Sequence, residues 1–152
     1  MKLLYEKLNG ADAHQAGLAL LEKLYGGPLP EICRTQLGKP YFADSTLHFS
    51  ISHTPGYVFV ALSERPIGID AEEMDRDIKL SLAKKILSPN ELAQFEKAQD
   101  KRLALLKFWV LKEAAGKCSG QGLQLWPNHT DFSLSDPRAQ EIAGCFVAVI
   151  EE

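Results

Sequence analysis

The sequence predicts a single α+β domain made of two similar halves. Its 152 residues suit one domain, and segments with strand-like alternation are interspersed with segments of helical spacing. A short internal repeat is formed by residues 49–52 and 59–62 and, later, by residues 132–135 and 146–149. Short matches of this kind also arise by chance. If the repeat is structural, it predicts related halves, roughly 1–64 and 65–152, that face each other across a ligand-binding cleft.

The first half is predicted to contain a helix between strands. In order, we expect a strand at 1–7, a helix at 11–25, a loop at 29–45 and strands at 47–52 and 57–63. The helix has apolar residues at helical spacing and stops before Gly26-Gly27-Pro28. The last two strands are separated by His53-Thr54-Pro55-Gly56, which predicts a hairpin.

The second half is predicted to be richer in helix. In order, we expect a strand at 67–72, a short helix at 78–87, another beginning at Ser88, a long helix at 100–119 and strands at 131–135 and 142–150. Ser88 followed by Pro89 is typical of a helix start, with serine as the N-cap. Gly120 and Gly122 end the long helix.

Composition and charge exclude several classes of protein. Hydrophobic residues make up 45% and charged residues 24% of the chain, unlike a disordered or collagen-like sequence. The net charge of −3 lacks the basic excess that nucleic-acid binding usually requires. The three cysteines form no C-x-x-C pair, and the sequence shows no signal peptide or membrane-spanning run. We therefore expect reduced thiols, a cytoplasmic location and no contact with nucleic acid or membrane.

Two acids follow each other at strand spacing. The strand period of two places Gly68, Asp70 and Glu72 on one face. Their Cα atoms should lie about 6.6 Å apart, so both carboxylates can reach one cation. Oxygen ligands without histidine or cysteine favour Mg²⁺ or Mn²⁺ over Zn²⁺. The alternative is a strand end with two solvated acids.

A second candidate lies on the long helix. Glu113 and Lys117 are four residues apart and share a helix face with Trp109. This spacing is also typical of a surface ion pair. However, Glu113 is the one acid among five bases in residues 101–117. That pattern favours a metal-binding Glu113 beside lysines, Lys112 and Lys117 among them, that contact phosphates.

A third candidate is Ser50-Ile51-Ser52-His53-Thr54 at a strand end. A nucleophilic serine with a histidine base is disfavoured, because neighbouring strand residues point to opposite faces and no G-x-S-x-G elbow is present. A hydroxyl and an imidazole at this place suit anion binding better.

Together these segments resemble the 4′-phosphopantetheinyl transferase superfamily, of the type that activates carrier domains of peptide and polyketide synthases. The resemblance rests on four motifs in the family's order: residues 38–42 (GKPYF), 49–54 (FSISHT), 67–72 (IGIDAE) and 108–117 (FWVLKEAAGK). Each motif is weak alone, and their combination is specific. The resemblance implies that family's fold, with two similar α+β halves related by a pseudo-two-fold axis.

The resemblance also implies an activity and roles for residues. The enzyme would move the phosphopantetheine arm of coenzyme A to a serine of an acyl or peptidyl carrier protein, releasing adenosine 3′,5′-bisphosphate. Asp70, Glu72 and Glu113 would hold Mg²⁺, with Glu113 as the hypothetical general base. The other implied contacts are Lys117 with the pyrophosphate, Ser52 and His53 with the nucleotide phosphates, and Lys39 with the adenosine moiety.

Some features depart from the family. Thr54 replaces the family's serine, and only 37 residues precede Gly38, fewer than two-half members usually carry. None of the four bases before Gly38 matches a family position. We expect a monomer, although an oligomer that completes the site is an alternative. The function alternatives are a non-catalytic relative that binds coenzyme A or a carrier, and another Mg²⁺-dependent phosphotransferase or phosphoesterase. The carrier, its fatty-acid, polyketide or peptide pathway and the use of acyl-CoA are left open.

Overall fold

Strands and helices alternate along the residues that the computed structural model describes, 1–122 and 130–152. The first part contains β1 (Lys2–Lys7), α1 (Ala13–Tyr25), β2 (Ile32–Arg34), β3 (Pro40–Phe42), β4 (His48–His53) and β5 (Tyr57–Ser63). The second part contains β6 (Ile67–Glu73), a 3-10 turn (Leu80–Leu82), α2 (Ala83–Ile86), α3 (Pro89–Lys97), α4 (Lys101–Ser119), β7 (Ala139–Ile142) and β8 (Cys145–Glu151). No described helix is long and apolar enough to cross a membrane.

The helix ends follow the signals in the sequence. Ser88 caps α3 through a complete capping box, in which its side chain accepts from the backbone of Glu91 and the Glu91 side chain accepts from the backbone of Ser88. Asp100 caps the start of α4. Gly120 ends α4 with a φ of 75°, a conformation that glycine adopts without steric cost. The predicted long helix is therefore confirmed within one residue.

Two antiparallel sheets carry most of the strands. The first has the order β1-β5-β4, and the predicted β4–β5 hairpin is confirmed, with His53 opposite Val58 at its turn end. The second has the order β6-β8-β7. A small separate ladder pairs β2 with β3. The first strand at 1–7 and the strand at 67–72 were also predicted correctly, to within one residue.

Three of the predicted elements are wrong. The loop at 29–45 contains the β2–β3 hairpin, and the helix at 78–87 is a 3-10 turn followed by the one-turn α2. Residues 131–135 are not a strand, because the start of α3 binds them: Phe132 N donates to Glu91 Oε1 at 2.8 Å, and Asp131 accepts from Ser88 and Asn90. The outer strand of the second sheet is β7 instead. In the internal repeat, residues 59–62 and 146–149 do lie in β5 and β8, the central strands of their sheets.

Three apolar clusters form the core. One packs α1 against the first sheet, through Leu21 and Val60 among others. A second packs α4 with the shorter helices and the second sheet, through Leu105 and Ala148 among others. The third includes Phe59 of β5 and Ile69 of β6 and joins the two sheets. This junction places β6, with its acids, beside β4, with its serines and histidine.

Candidate active site

The site begins where helix α4 lies against strand β6. The backbone of α4 reaches the strand at Gly68, where an added Cβ would lie 2.0 Å from the Ala114 carbonyl oxygen and 2.4 Å from the Cys118 nitrogen. Glycine is therefore required for this approach. Since Lys117 precedes Cys118 and Asp70 lies two residues beyond Gly68, the contact brings these two side chains together.

Asp70 is the buried centre of the site. Its Oδ1 accepts from Lys117 Nζ at 2.8 Å and from Ser52 Oγ at 3.1 Å. Its Oδ2 is buried and has no hydrogen-bond partner among residues 1–122 and 130–152. Burial raises the pKa of Asp70, and the charge of Lys117 opposes that rise. A buried carboxylate with a free oxygen is an arrangement that a further cation would stabilise.

Glu72 lies one strand period further and is half-buried. It accepts from Arg76, four residues on, and from the Trp109 side chain on α4. Arg76 also lies over the Trp109 ring, with 5.6 Å between its Cζ and the ring centroid. Arg102 on α4 donates to the backbone oxygens of Met74 and Arg76, which holds this segment against the helix. Burial raises the pKa of Glu72, and the nearby Asp70 adds to the rise.

Glu113 completes an acidic group with Asp70 and Glu72. Burial raises its pKa to about 7, and the charges of Asp70 and Glu72 contribute, partly offset by Lys117 and Arg76. The predicted carboxylates therefore lie close enough to act on one another electrostatically. Within residues 1–122 and 130–152, no three acids, histidines or cysteines are already arranged as a metal-binding cluster. Lys117 and Arg76 instead bind two of the three carboxylates.

A cavity of about 430 Å³ opens beside this acidic group. Its walls come from α1, the β2–β3 hairpin, β4 and the end of α4. Basic side chains line it, and they are His14, Arg34, Lys39, His53 and Lys117. Apolar side chains also line it, among them Leu18, Phe49 and Ile51. Lys117 thus belongs both to the cavity wall and to the ion pair with Asp70, and it connects the basic and acidic parts of the site.

Lys39 joins the β2–β3 hairpin to the end of α4. Its Nζ donates to the Cys118 carbonyl oxygen, one of the carbonyls left without a partner at a helix C-terminus. Partial burial lowers the pKa of Lys39. Its stem also packs against Gly120, where an added Cβ would lie 3.0 Å from Lys39 Cδ. The lysine therefore holds one cavity wall against another and is itself one of the lining residues.

Two predicted ligand-binding residues lie elsewhere. Lys112 is fully buried and forms an ion pair with Glu91 at 2.8 Å, and it also donates to the backbone and hydroxyl oxygens of Thr130. Its ammonium has no exposed surface and Lys112 is not among the cavity-lining residues, so the structure does not bring this predicted cofactor-binding residue to the site. Ser52 is also buried, and it is absent from the cavity lining. Its hydroxyl contacts Asp70 and accepts from the Ala71 amide at 3.2 Å, which makes it a positioning residue for Asp70.

Sequence reasoning missed Arg34 and His14 as cavity residues. Arg34 is one of the four bases before Gly38 that match no position of the family. Its guanidinium donates to the Gly38 carbonyl at 2.9 Å across the β2–β3 hairpin. Recognising that hairpin in the sequence would have placed Arg34 near Lys39, because Arg34 pairs with Pro40.

Residues 66–148 match the model of one protein family, the 4′-phosphopantetheinyl transferase superfamily. The matched segment covers more than half of the chain and contains Asp70, Glu72, Glu113 and Lys117. The chain therefore belongs to this superfamily, and the resemblance seen in its motifs is confirmed.

Curated relatives named as 4′-phosphopantetheinyl transferases also match the chain. A putative transferase of Haemophilus influenzae is 34% identical over 119 residues, which are 75% of this chain and 49% of the relative. The transferase gsp of Aneurinibacillus migulanus is 33% identical over 94 residues, 60% of this chain and 39% of the relative. The transferase Sfp of Bacillus subtilis is 36% identical over 125 residues, 76% and 55% of the respective chains. The chain spans about half the length of the curated relatives it matches.

Proposed function

We propose that this protein transfers the 4′-phosphopantetheine group of coenzyme A to a serine hydroxyl of an acyl or peptidyl carrier protein. The observation that carries the proposal is Lys117, which lines the basic cavity and bonds Asp70 in the acidic group. A pyrophosphate needs positive charge around its oxygens, and an in-line displacement at phosphorus needs neutralisation of the charge that develops. Membership in the superfamily and relatives with that name support the same reaction.

The cavity would hold the nucleotide end of coenzyme A. Lys39 and His53 enter it from two different walls, and Arg34 lies on the hairpin that carries Lys39. Phosphate groups favour such a set of donors, and the apolar side chains suit a purine ring. In this arrangement the pyrophosphate would lie at Lys117, next to the carboxylates. Holding both reactants in a fixed geometry is a large part of catalysis in phosphoryl transfer.

The donor set of the acidic group fits Mg²⁺. All three side chains offer oxygen ligands, and Asp70 Oδ2 is buried with no partner in the described part of the chain. The negative charges of Asp70 and Glu72 also act on Glu113, and a cation would offset them. Asp70, Glu72 and Glu113 would hold the ion, which would neutralise charge on the pyrophosphate oxygens. To bind the ion, Asp70 would have to be shared or released by Lys117, and Glu72 would have to be shared or released by Arg76.

Glu113 is the proposed proton acceptor. In the metal-free protein burial raises the pKa of Glu113 to about 7, so its carboxylate accepts a proton more readily than an ordinary glutamate, and a bound Mg²⁺ would lower that pKa again. In the reaction the serine oxygen would attack the β-phosphorus of coenzyme A and adenosine 3′,5′-bisphosphate would leave. The serine proton would go to Glu113 directly or through a water molecule.

We also propose that residues 1–64 and 65–152 are two equivalent halves of one domain with the site between them. The sheet orders support this, since β1, β5 and β4 occupy the same places in the first sheet as β6, β8 and β7 in the second. In addition, α1 and α4 each follow the first strand of a half and pack on its sheet. A two-half chain acting as a monomer would need no second copy to complete the cavity.

Detection of adenosine 3′,5′-bisphosphate by liquid chromatography tests the function. We expect its release when the protein, Mg²⁺, coenzyme A and an apo carrier are present together, and none when the carrier is omitted. Asp70→Asn and Glu113→Gln should each abolish release, while Glu141→Gln, a matched change at an exposed acid on β7, should leave it unchanged. Release without a carrier would indicate a phosphoesterase instead, and binding of coenzyme A without release would indicate a non-catalytic relative.

A further inference from the structure

Three hydroxyl side chains, two on β4 and one directly after it, join the two sheets. Ser50, Ser52 and Thr54 are two residues apart and therefore point to the same side of the strand. Ser50 Oγ accepts from the Ile69 amide at 3.0 Å, and Ser52 Oγ accepts from the Ala71 amide at 3.2 Å. No backbone ladder connects β4 with β6 in the described sheets. The polar contacts seen along this junction are thus made by side-chain hydroxyls of β4.

The third hydroxyl ends this row at the turn between β4 and β5. Thr54 is 2% exposed, and its Oγ1 donates to Glu73 Oε1 at 3.1 Å. The same oxygen accepts from the amides of Gly56 at 3.3 Å and Tyr57 at 3.0 Å. One hydroxyl therefore donates to the end of β6 and accepts two hydrogen bonds within the turn.

Glu73 fixes the turn to the end of β6. Its Oε1 accepts from the Gly56 amide at 2.9 Å as well as from Thr54. An added Cβ at Gly56 would lie 3.0 Å from the same oxygen, so turn and carboxylate are in close contact. The turn is also held from the other side, because Leu8 N donates to the Gly56 carbonyl at 2.8 Å. Glu73 is adjacent to Glu72, but its carboxylate serves the turn and not the acidic group.

His53 lies between the two hydroxyl residues and must point the other way. Ser52 and Thr54 are both directed at β6, so the His53 side chain projects from the opposite side of β4, where it is exposed and lines the cavity. Its position relative to Asp70 is therefore set by the contacts on either side of it, Ser52 with Asp70 and Thr54 with Glu73.

We propose that Glu73 and Thr54 are positioning residues that hold His53 in the cavity wall and thereby determine how tightly the cavity binds a phosphate-bearing nucleotide. This inference rests on the proposed function, because it takes coenzyme A as the ligand. Neither residue touches the ligand in this arrangement. Their effect belongs to binding, so it appears in the affinity and in KM for coenzyme A more than in kcat.

Matched variants test the inference by isothermal titration of coenzyme A in the absence of a carrier. Thr54→Val keeps the shape of the side chain and removes the hydroxyl, and it should weaken binding by about fivefold or more. Thr54→Ser restores the hydroxyl and should bind within about twofold of the natural protein. Glu73→Ala, at a partly exposed position, should reproduce the effect of Thr54→Val with little risk to folding. Circular dichroism confirms that each variant is folded.

A double-mutant cycle separates positioning from general destabilisation. In a His53→Ala background, Thr54→Val and Glu73→Ala should cost almost nothing further, because their effect passes through the missing imidazole. An equal loss of coenzyme A affinity in both backgrounds would overturn this inference but not the proposed function. Normal binding by Thr54→Val and Glu73→Ala would do the same. If the natural protein bound no coenzyme A, the proposed function would fall and this inference with it.

Discussion

The contact between Gly68 and helix α4 gives a prediction whose size follows from the structure. The Cβ of Gly68→Ala would meet the Ala114 carbonyl oxygen at 2.0 Å, against 3.4 Å for an ordinary contact. The helix would have to move by about 1.4 Å, and it meets the strand with backbone atoms that cannot rotate away. Overpacking of this kind costs about 1–3 kcal/mol, and we expect the upper end of that range here.

The same displacement would separate Lys117 from Asp70. Their 2.8 Å ion pair depends on the close approach of α4 to β6. We therefore expect Gly68→Ala to lose coenzyme A binding as well as stability. Urea denaturation measures the stability loss as a lower midpoint at an unchanged slope, and titration calorimetry measures the binding.

Gly27→Ala is the matched control. Gly27 follows α1, has no neighbour within 4 Å of an added Cβ and does not adopt a left-handed conformation. Its substitution should change the free energy of unfolding by no more than about 0.5 kcal/mol. If Gly68→Ala unfolded at the same urea concentration as Gly27→Ala, the proposed role of Gly68 in building the site would be refuted.

Three further predictions concern single residues. Glu113→Gln should stabilise the metal-free protein at pH 8 and not at pH 5. In the folded protein the pKa of Glu113 is raised to about 7 from the ordinary value of 4.5. The protonated carboxyl therefore contributes its full stability to the fold below pH 4.5, and this contribution is lost as the pH rises through 7. Solvent screens this partly exposed group, so we expect Glu113→Gln to raise the free energy of unfolding at pH 8 by about 1–2 kcal/mol. A calorimetric Tm difference between the variant and the natural protein that did not change with pH would contradict this. Lys112→Met should cost about 3–5 kcal/mol in urea denaturation, because it leaves Glu91 buried and unpaired. Adding Glu91→Gln should recover part of that loss, and a fully additive double variant would argue against a coupled pair. Arg34→Ala should weaken coenzyme A binding about fivefold without changing the Tm, and equal affinity at low and high salt would speak against its contact with phosphate.

Local signals in the sequence predicted α1, α3, α4 and the β4–β5 hairpin, but not the 3-10 turn and the short α2. Gly120 marks the end of α4 and Ser88 the start of α3, because capping depends on residues near each end, and the structure adds Asp100 as the cap of α4. The pairing of Asp70 with the helix that carries Lys117 was implied by family resemblance, and Gly68 shows why the two elements meet.

Contacts between distant segments explain what the sequence did not reveal. The 131–135 segment alternates like a strand, yet Glu91 captures the Phe132 amide at the start of α3. Lys112 was predicted to contact phosphates because it is one of the bases of α4, and only the folded chain shows Glu91 beside it. The segment 50–54 was singled out as a candidate anion site, but the contacts of its hydroxyls with β6 were not predicted. Each of these depends on tertiary packing, which local propensity does not record.

The central claim is transfer of phosphopantetheine, and the intact mass of a carrier protein tests it most directly. An apo carrier is incubated with this protein, coenzyme A and Mg²⁺, and its mass is measured with and without EDTA. We expect a gain of one phosphopantetheine group that EDTA abolishes. An unchanged mass with several unrelated apo carriers, from a protein that still binds coenzyme A, would contradict it.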